Sequence, residues 1–137
     1  MTDRMDPGAL QTVREYLGLT TQALASMLNV RHDTLRRWES GRDPIPERVR
    51  EEVEDIKEYS ARAVDDVVQA LMNSPDPAVA VFRTDEQMHA ARPDLSHLPA
   101  RWWRHVAYRA ADLVPGVAIV TAPRDLDDII AAGEQSR

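Results

Sequence analysis

The sequence predicts a mainly α-helical protein, α+β overall, in which an N-terminal helix-turn-helix bundle precedes a small helix-strand-helix-strand region. Residues 7–73 carry apolar side chains at helical spacing, and Gly, Pro or Asn stands at the breaks. The two runs AVAVF at 78–82 and VAIVT at 117–121 are short, apolar and β-prone. An amphipathic segment lies between them, and 137 residues suffice for one typical domain or two small units.

The composition narrows the class of protein. Without cysteine the chain has no disulfide and no thiolate metal site, which fits a reducing cytoplasm. The first ten residues, MTDRMDPGAL, lack the basic-then-apolar pattern of a secretory signal. No apolar run approaches the roughly 20 residues that cross a bilayer. We therefore expect a soluble intracellular protein with no membrane partner.

The first helix follows a loose leader of residues 1–6. Asp6 and Pro7 form a helix start, with Asp as the cap and Pro at the first helical position. We expect the helix to end at Gly18. Its buried face should consist of Leu10, Val13, Leu17 and, as a further candidate, Tyr16.

Two short helices joined by a tight turn follow. The first opens at Thr20 or Thr21, where a hydroxyl can accept a bond from a backbone N–H. Asn29 tolerates a left-handed backbone and so predicts the turn, after which Val30 fills the corner. The apolar stripe of the first helix is Ala23, Leu24, Met27 and Leu28.

The second of these helices should span residues 31–40, with Gly41 stopping it. Thr34, Leu35 and Trp38 share the inward face. A short Arg-rich helix held across another fits the major groove of DNA. The side chains left facing outward are Arg31, His32, Asp33, Arg36 and Arg37.

From Glu47 a helical pattern continues to about Asn73, alternating steps of three and four. This helix is too long for the N-terminal bundle to cover, so part of its face must meet the C-terminal region or a second subunit. Its apolar face is Val49, Val53, Ile56, Ser60, Ala63, Val64, Val67 and Leu71.

The C-terminal region reads as strand 78–82, a brief helix capped by Thr84, helix 101–113 and strand 117–121. The face of helix 101–113 is predicted to be Trp103, Val106, Ala107, Ala110 and Leu113, with Trp102 at its edge. After Pro123 the chain should fray, apart from one helical turn at 126–131.

Two lone strands are marginal in water, but two copies of the chain would make a four-stranded sheet. We therefore divide the chain into residues 1–59 (DNA binding), 60–122 (dimerisation) and 123–137 (flexible tail). The expected dimer interface is Val79, Val81, Trp102, Trp103, Val106, Val117 and Ile119.

Residues 19–41 resemble, without a gap, the helix-turn-helix of phage-repressor-like (Cro/C1, or XRE-type) regulators. Asn29 stands where that family usually has Gly, and Thr21 replaces the Gln expected to contact phosphate. The matching residues are Leu19, Thr20, Leu24, Ala25, Leu28, Val30, Thr34, Leu35, Arg37, Trp38, Glu39 and Gly41.

This resemblance implies roles for particular residues. Base contacts fall to Arg31, His32, Asp33 and Arg37, with Arg36 able to reach bases or phosphate; the alternative is that these five form only a solvated face. Candidate phosphate contacts are Thr20, Thr21, Ser40 and Arg42, and capping is the alternative for the two threonines. The resemblance also implies a structural ion pair between Arg14 and Glu39.

More loosely, the two-part plan resembles the anti-CRISPR-associated repressors and their bacterial relatives. The residues that carry this likeness are Trp38-Glu39-Ser40-Gly41-Arg42, Pro46 and the pair Trp102-Trp103.

The net charge of −6 is unevenly distributed along the chain. Residues 31–50 contain six Arg and four acidic residues. Residues 51–66 contain seven acidic residues and only two basic ones, Lys57 and Arg62. We therefore expect weak non-specific DNA affinity, with specificity left to a few Arg contacts.

No motif indicates an enzyme, a metal site or a cofactor, since His89 and His97 lack metal-ligand spacing and no paired carboxylates converge. Arg101, Arg104, His105 and Arg109 beside the Trp pair form either a nucleic-acid patch or, as we favour, part of the core and interface.

The sequence thus predicts a homodimeric transcriptional repressor that binds double-stranded DNA at a palindromic operator. Two alternatives remain open: an antitoxin with a toxin as protein partner, and a protein-interaction module whose helix-turn-helix is vestigial.

Overall fold

The computed structural model describes residues 4–122, and the tail 123–137, with its expected helical turn, lies outside them. The predicted fold class is confirmed, since helices dominate and the described residues add a small sheet of two strands. The elements are α1 Pro7–Tyr16, α2 Thr21–Met27, α3 His32–Glu39, α4 Arg48–Met72, β1 Ala78–Val81, α5 Asp85–Ala91, a 3-10 turn Pro93–Leu95, α6 Ala100–Leu113 and β2 Ala118–Thr121.

Helix α1 begins as predicted. The Asp6 carboxylate accepts a hydrogen bond of 2.8 Å from the Gly8 N–H, and Pro7 occupies the first turn, where its missing N–H costs nothing. The chain turns after the helix at Gly18, whose φ of 73° favours glycine. Leu10 is fully buried, but Tyr16 is 54% exposed, so its placement on the buried face was wrong.

Helix α4 connects the two halves of the molecule. Its 25 residues span about 37 Å at 1.5 Å per residue, and the predicted boundary at 59/60 falls within it. One continuous cluster of buried apolar residues includes members of α1, α3, α4 and α6. The buried residues of α4 are Val49, Val53, Ile56, Ser60, Val64 and Leu71.

The register of α6 differs from the sequence-based expectation. Trp102 is 1% exposed and lies in the core, whereas Trp103 is only half-buried. Leu113, expected on the inner face, is 66% exposed. The predicted roles of Trp102 and Trp103 were therefore exchanged, because the buried stripe runs at i, i+4 through Trp102, Val106, Ala110 and Val114.

A buried hydrogen bond joins α4 to α6. The Trp102 indole N–H donates to the Ser60 hydroxyl oxygen over 2.9 Å, and Ser60 is itself 1% exposed. The sequence pattern placed Ser60 on an apolar face without a reason for a polar residue there. The structure supplies it, since an indole N–H buried among apolar groups needs an acceptor.

Strands β1 and β2 pair in parallel, with Val79 opposite Ile119. Helix α6 lies against β1, where the Trp103 indole N–H donates to the Ala80 carbonyl and an Arg104 N–H to the Phe82 carbonyl, each over 2.7 Å. Every residue of β2 is exposed. The predicted bounds of the two strands agree with the structure to within one residue.

Candidate nucleic-acid interface

The turn between α2 and α3 has the geometry that its sequence predicts. The Thr20 hydroxyl caps α2 by accepting from the Ala23 N–H over 3.0 Å, which decides between Thr20 and Thr21 as the cap. Asn29 adopts a left-handed backbone with φ of 58°. The Val30 N–H then donates to the Ala25 carbonyl over 2.9 Å, and this bond closes the corner. Helix α3 is therefore held at a fixed angle to α2.

Helix α3 divides into an inward and an outward face. Leu35 and Trp38 are buried at 0% and 5% exposure, and they anchor the helix to the bundle. Arg31, expected inside the helix, is instead its N-cap residue and makes no capping bond with its side chain. The exposed residues at this end and along the outer face are Arg31, His32, Asp33, Arg36 and Arg37.

A cleft along the outer face of α3 brings two sets of candidate residues together. Asp33, Arg36 and Arg37, candidates for base contact, share it with Ser40 and Arg42, candidates for phosphate contact. The Arg37 carbonyl accepts from the Ser40 hydroxyl over 3.1 Å and from the Arg42 N–H over 2.9 Å. These bonds fix the backbone around three arginines whose side chains face solvent.

Thr21 and His32 are joined at the N-terminal end of α3. The Thr21 hydroxyl and His32 Nε2 lie 2.6 Å apart, within hydrogen-bond distance. The direction of the bond follows the imidazole tautomer, because Nε2 accepts when bare and donates when protonated. A candidate phosphate contact and a candidate base contact are thus neighbours, one from each helix of the motif.

The ion pair implied for Arg14 and Glu39 is present and bidentate. Arg14 donates to the two carboxylate oxygens of Glu39 over 2.8 and 3.1 Å, and a third N–H reaches the Leu19 carbonyl over 3.0 Å. The two side chains are 11% and 9% exposed. Planar guanidinium matches carboxylate in this geometry. The pair connects α1 to the end of α3 and so fixes the motif within the bundle.

The residues expected at a dimer interface separate into two groups. Val79, Trp102 and Val106 are buried within the single chain, so a second chain would not touch them without rearrangement. Val81, Trp103 and Val117 are half-buried, and Ile119 is 45% exposed. Val120, which the sequence reasoning missed, is as exposed as Ile119.

A second basic cleft lies along α6. His105 Nδ1 donates to the Tyr16 carbonyl over 2.8 Å, and the Arg109 guanidinium lies 4.9 Å from the centre of the Tyr16 ring. The sequence analysis named the basic residues of this cleft but favoured a core or interface role for them. Nothing in the sequence indicated that α1 would place an aromatic ring beside them. The lining residues are Tyr16, Arg101, Arg104, His105, Tyr108 and Arg109.

The remaining features of the described residues concern an exposed ion pair, metal ligands and membrane-spanning helices. An exposed ion pair joins Arg92 to Asp94 over 2.9 Å; its hydrogen bond lowers the pKa of Asp94 and raises the pKa of Arg92. Within residues 4–122, no three His, Cys, Asp or Glu side chains are grouped as metal ligands. The helices of this part of the chain are also too short or too polar to cross a membrane.

Comparison with known families gives one match that spans most of the chain. Residues 5–115 match the family described as Aca2/YdiL-like, a family of anti-CRISPR-associated, helix-turn-helix-type transcriptional regulators. The match extends through α6 and therefore includes the C-terminal region. It agrees with the looser of the two resemblances drawn from the sequence. Comparison with curated proteins gives no significant match.

Proposed function

The chain belongs to the Aca2/YdiL-like family, and from this premise we propose that it is a sequence-specific DNA-binding transcriptional regulator, acting as a homodimeric repressor. The observation that carries the proposal is the exposed, cationic outer face of α3, held by the Asn29 turn and the Arg14–Glu39 pair. A rigidly held helix with cations on its exposed face has the form of a DNA recognition helix. We assign the motif to the phage-repressor (Cro/C1, XRE) type.

In this proposal α3 enters the major groove. Arg31 and Arg37 bind guanine O6 and N7, Asp33 accepts from a cytosine amino group, and His32 and Arg36 contact neighbouring base edges or phosphate. Contacts to the DNA phosphates position α3 in the groove and carry no sequence information themselves. We assign them to Thr20, Thr21, Ser40 and Arg42.

The homodimer would be built through the C-terminal region. The four residues of β2 are exposed, and Ile119 and Val120 present apolar side chains on a strand that pairs only with β1 among residues 4–122. Pairing of two such edges would extend the two-stranded sheet to four strands. Two copies of α3 would then enter successive major grooves about 34 Å apart on a palindromic operator.

In this proposal the protein represses by occlusion. Its operator overlaps a promoter, and the bound dimer blocks that promoter. The proposal assigns no catalytic activity, metal or cofactor to the chain. It places the protein in the compartment that holds its DNA, which we take to be the cytoplasm.

Selection of bound sequences from a random duplex pool, at roughly physiological salt, tests this function. The expected product is an inverted repeat whose half-sites are separated by about one helical turn. A pool that stays random after several rounds would overturn the proposal. Arg37→Ala serves as the matched variant, since it should still fold but should select a less defined sequence.

A further inference from the structure

We propose that α6 carries a second DNA-binding surface, which contacts the phosphodiester backbone beside the groove that α3 reads. This surface, the α6 ridge, consists of Arg101, His105 and Arg109 with the flanking rings of Tyr16 and Tyr108. The inference rests on the proposed function. It goes beyond it in assigning nucleic-acid contacts to the C-terminal region.

The chemistry of the ridge favours a polyanion. Every ionisable group that lines its cleft is basic or phenolic, in a chain whose net charge is −6. Tyr16 and Tyr108 are 54% and 63% exposed, so their rings and hydroxyl groups face solvent. The side chain of Arg101 is exposed and makes no hydrogen bond or ion pair with other residues of the 4–122 range. Arginine and tyrosine are among the side chains that bind phosphate oxygens in protein–DNA complexes.

The ridge lies beside the start of the DNA-binding motif. A Cβ at Gly18 would stand 2.7 Å from the Arg101 carbonyl oxygen, so the N-terminal part of α6 packs directly on the α1–α2 turn. Gly18 precedes by two residues Thr20, the cap of α2 and a candidate phosphate contact. The N-terminal end of the ridge therefore lies close to the N-terminus of α2. From Arg101 to Arg109 the helix rises about 12 Å, which is the axial rise of between three and four base pairs.

The arginines of the cleft differ in how they are held. Arg109 is oriented by the Tyr16 ring, 4.9 Å from its guanidinium. Arg104 lines the same cleft, but one of its N–H groups is bound to the Phe82 carbonyl, so we leave it out of the ridge. Arg101 and Arg109 are thus the two cations that would each neutralise one phosphate outside the bases that α3 reads.

The test uses full-length protein and duplexes that carry the sequence selected from the random pool. One duplex is trimmed to the selected motif, and another is extended by about one helical turn at each end. Binding is measured over a range of salt concentrations for the wild type and for R101A, R101A/R109A and R101K/R109K. The control R62A/R83A removes the same charge from exposed positions outside the ridge cleft. Thermal unfolding verifies that each variant is folded.

We expect the slope of log affinity against log salt on the extended duplex to fall in magnitude by about 1 for R101A and about 2 for R101A/R109A. The double variant should also lose the wild type's preference for the extended duplex. The lysine variant should retain most of the slope because it keeps the charge. R62A/R83A should behave as wild type.

Two failures are distinguishable. If the wild type selects an operator but folded R101A/R109A keeps the wild-type slope and length dependence, the α6 ridge is overturned and the proposed function stands. If the wild type selects no sequence, the proposed function fails, and the ridge inference fails with it.

Discussion

The backbone and the side chain of Arg37 have separate environments. Its carbonyl accepts three hydrogen bonds, from the Ser40 hydroxyl and from the N–H groups of Arg42 and Asp43, while its guanidinium faces solvent. Arg37→Ala leaves the backbone bonds in place and removes only the guanidinium group, which we propose reads a base. We expect operator binding to weaken by about 1–3 kcal/mol, with relaxed preference at one base pair. Titration against operators altered at each position measures both effects.

The pattern of loss across those operators identifies the contact. Weakening that is equal for every sequence would contradict a base contact and would make Arg37 a phosphate ligand. Arg37→Lys tests the geometry, because lysine retains the charge but not the bidentate fork that matches guanine. Arg62→Ala, which removes an exposed cation from α4, provides the control for net charge.

The Arg14–Glu39 pair acts at the same scale through folding stability. Both side chains are about nine-tenths buried, so removal of one leaves a charge without its partner in a desolvated site. We expect Glu39→Ala to lower the free energy of unfolding by about 3–5 kcal/mol. Replacing both partners, as in R14M/E39L, should cost much less than the sum of the two single changes. Chemical denaturation of the four proteins measures this coupling, and strictly additive losses would contradict it.

At the scale of elements, the bond between Ser60 and Trp102 connects α4 to α6. Ser60→Ala would leave the indole N–H buried without an acceptor, and we expect a loss of about 1–3 kcal/mol in the free energy of unfolding. In a Trp102→Phe background the same Ser60 change should cost far less, because the donor is already absent. Ser96→Ala, at an exposed residue, is the control and should stay within about 0.5 kcal/mol of wild type. Equal losses from Ser60→Ala in both backgrounds would contradict the role of this bond.

The N-terminal helices were predictable because local chemistry defines each boundary. Thr20 as a cap, Asn29 in a left-handed turn and Gly41 as a stop each act within a few residues of the chain. The apolar stripes between them follow helical spacing, so the inward residues of α3 also followed from sequence. The outward residues of α3 were then identified by elimination, which is why the principal candidate site needed little tertiary information.

The register of α6 was not predictable by the same means. Stripes through Trp102 and through Trp103 both satisfy helical spacing, and the choice depends on Ser60 and Tyr59, which come from a distant part of the chain. For the same reason, the sequence offered a nucleic-acid patch at the α6 ridge as one of two alternatives but did not favour it. Its cations were visible in the sequence, but the carbonyl and ring of Tyr16 that orient His105 and Arg109 reach them only through tertiary packing.

At the scale of the whole molecule, α4 connects the helix-turn-helix to the C-terminal region. One buried cluster extends from α1 to α6, and α6 rests on both α4 and the α1–α2 turn. A dimer formed through the C-terminal region would therefore set the separation of the two α3 helices without a flexible linker. Parallel pairing of β1 with β2 was beyond sequence reasoning, because the pattern of two short strands leaves their direction and partners undetermined.

The edge strand β2 provides the last prediction. Ile119 and Val120 are each 45% exposed on a strand with no neighbour on its outer side within the described residues. We expect Ile119→Glu to convert a wild-type dimer into a monomer, because a carboxylate would have to be buried between two apolar edges. Light scattering measures the mass, and Gln69→Glu, which adds the same charge on an exposed face of α4, is the control.

Operator binding by the variant should weaken and lose its cooperativity between half-sites, since each α3 would bind alone. A wild type that is monomeric both free and on its operator would contradict dimerisation. A variant that stays dimeric would instead place the interface away from β2.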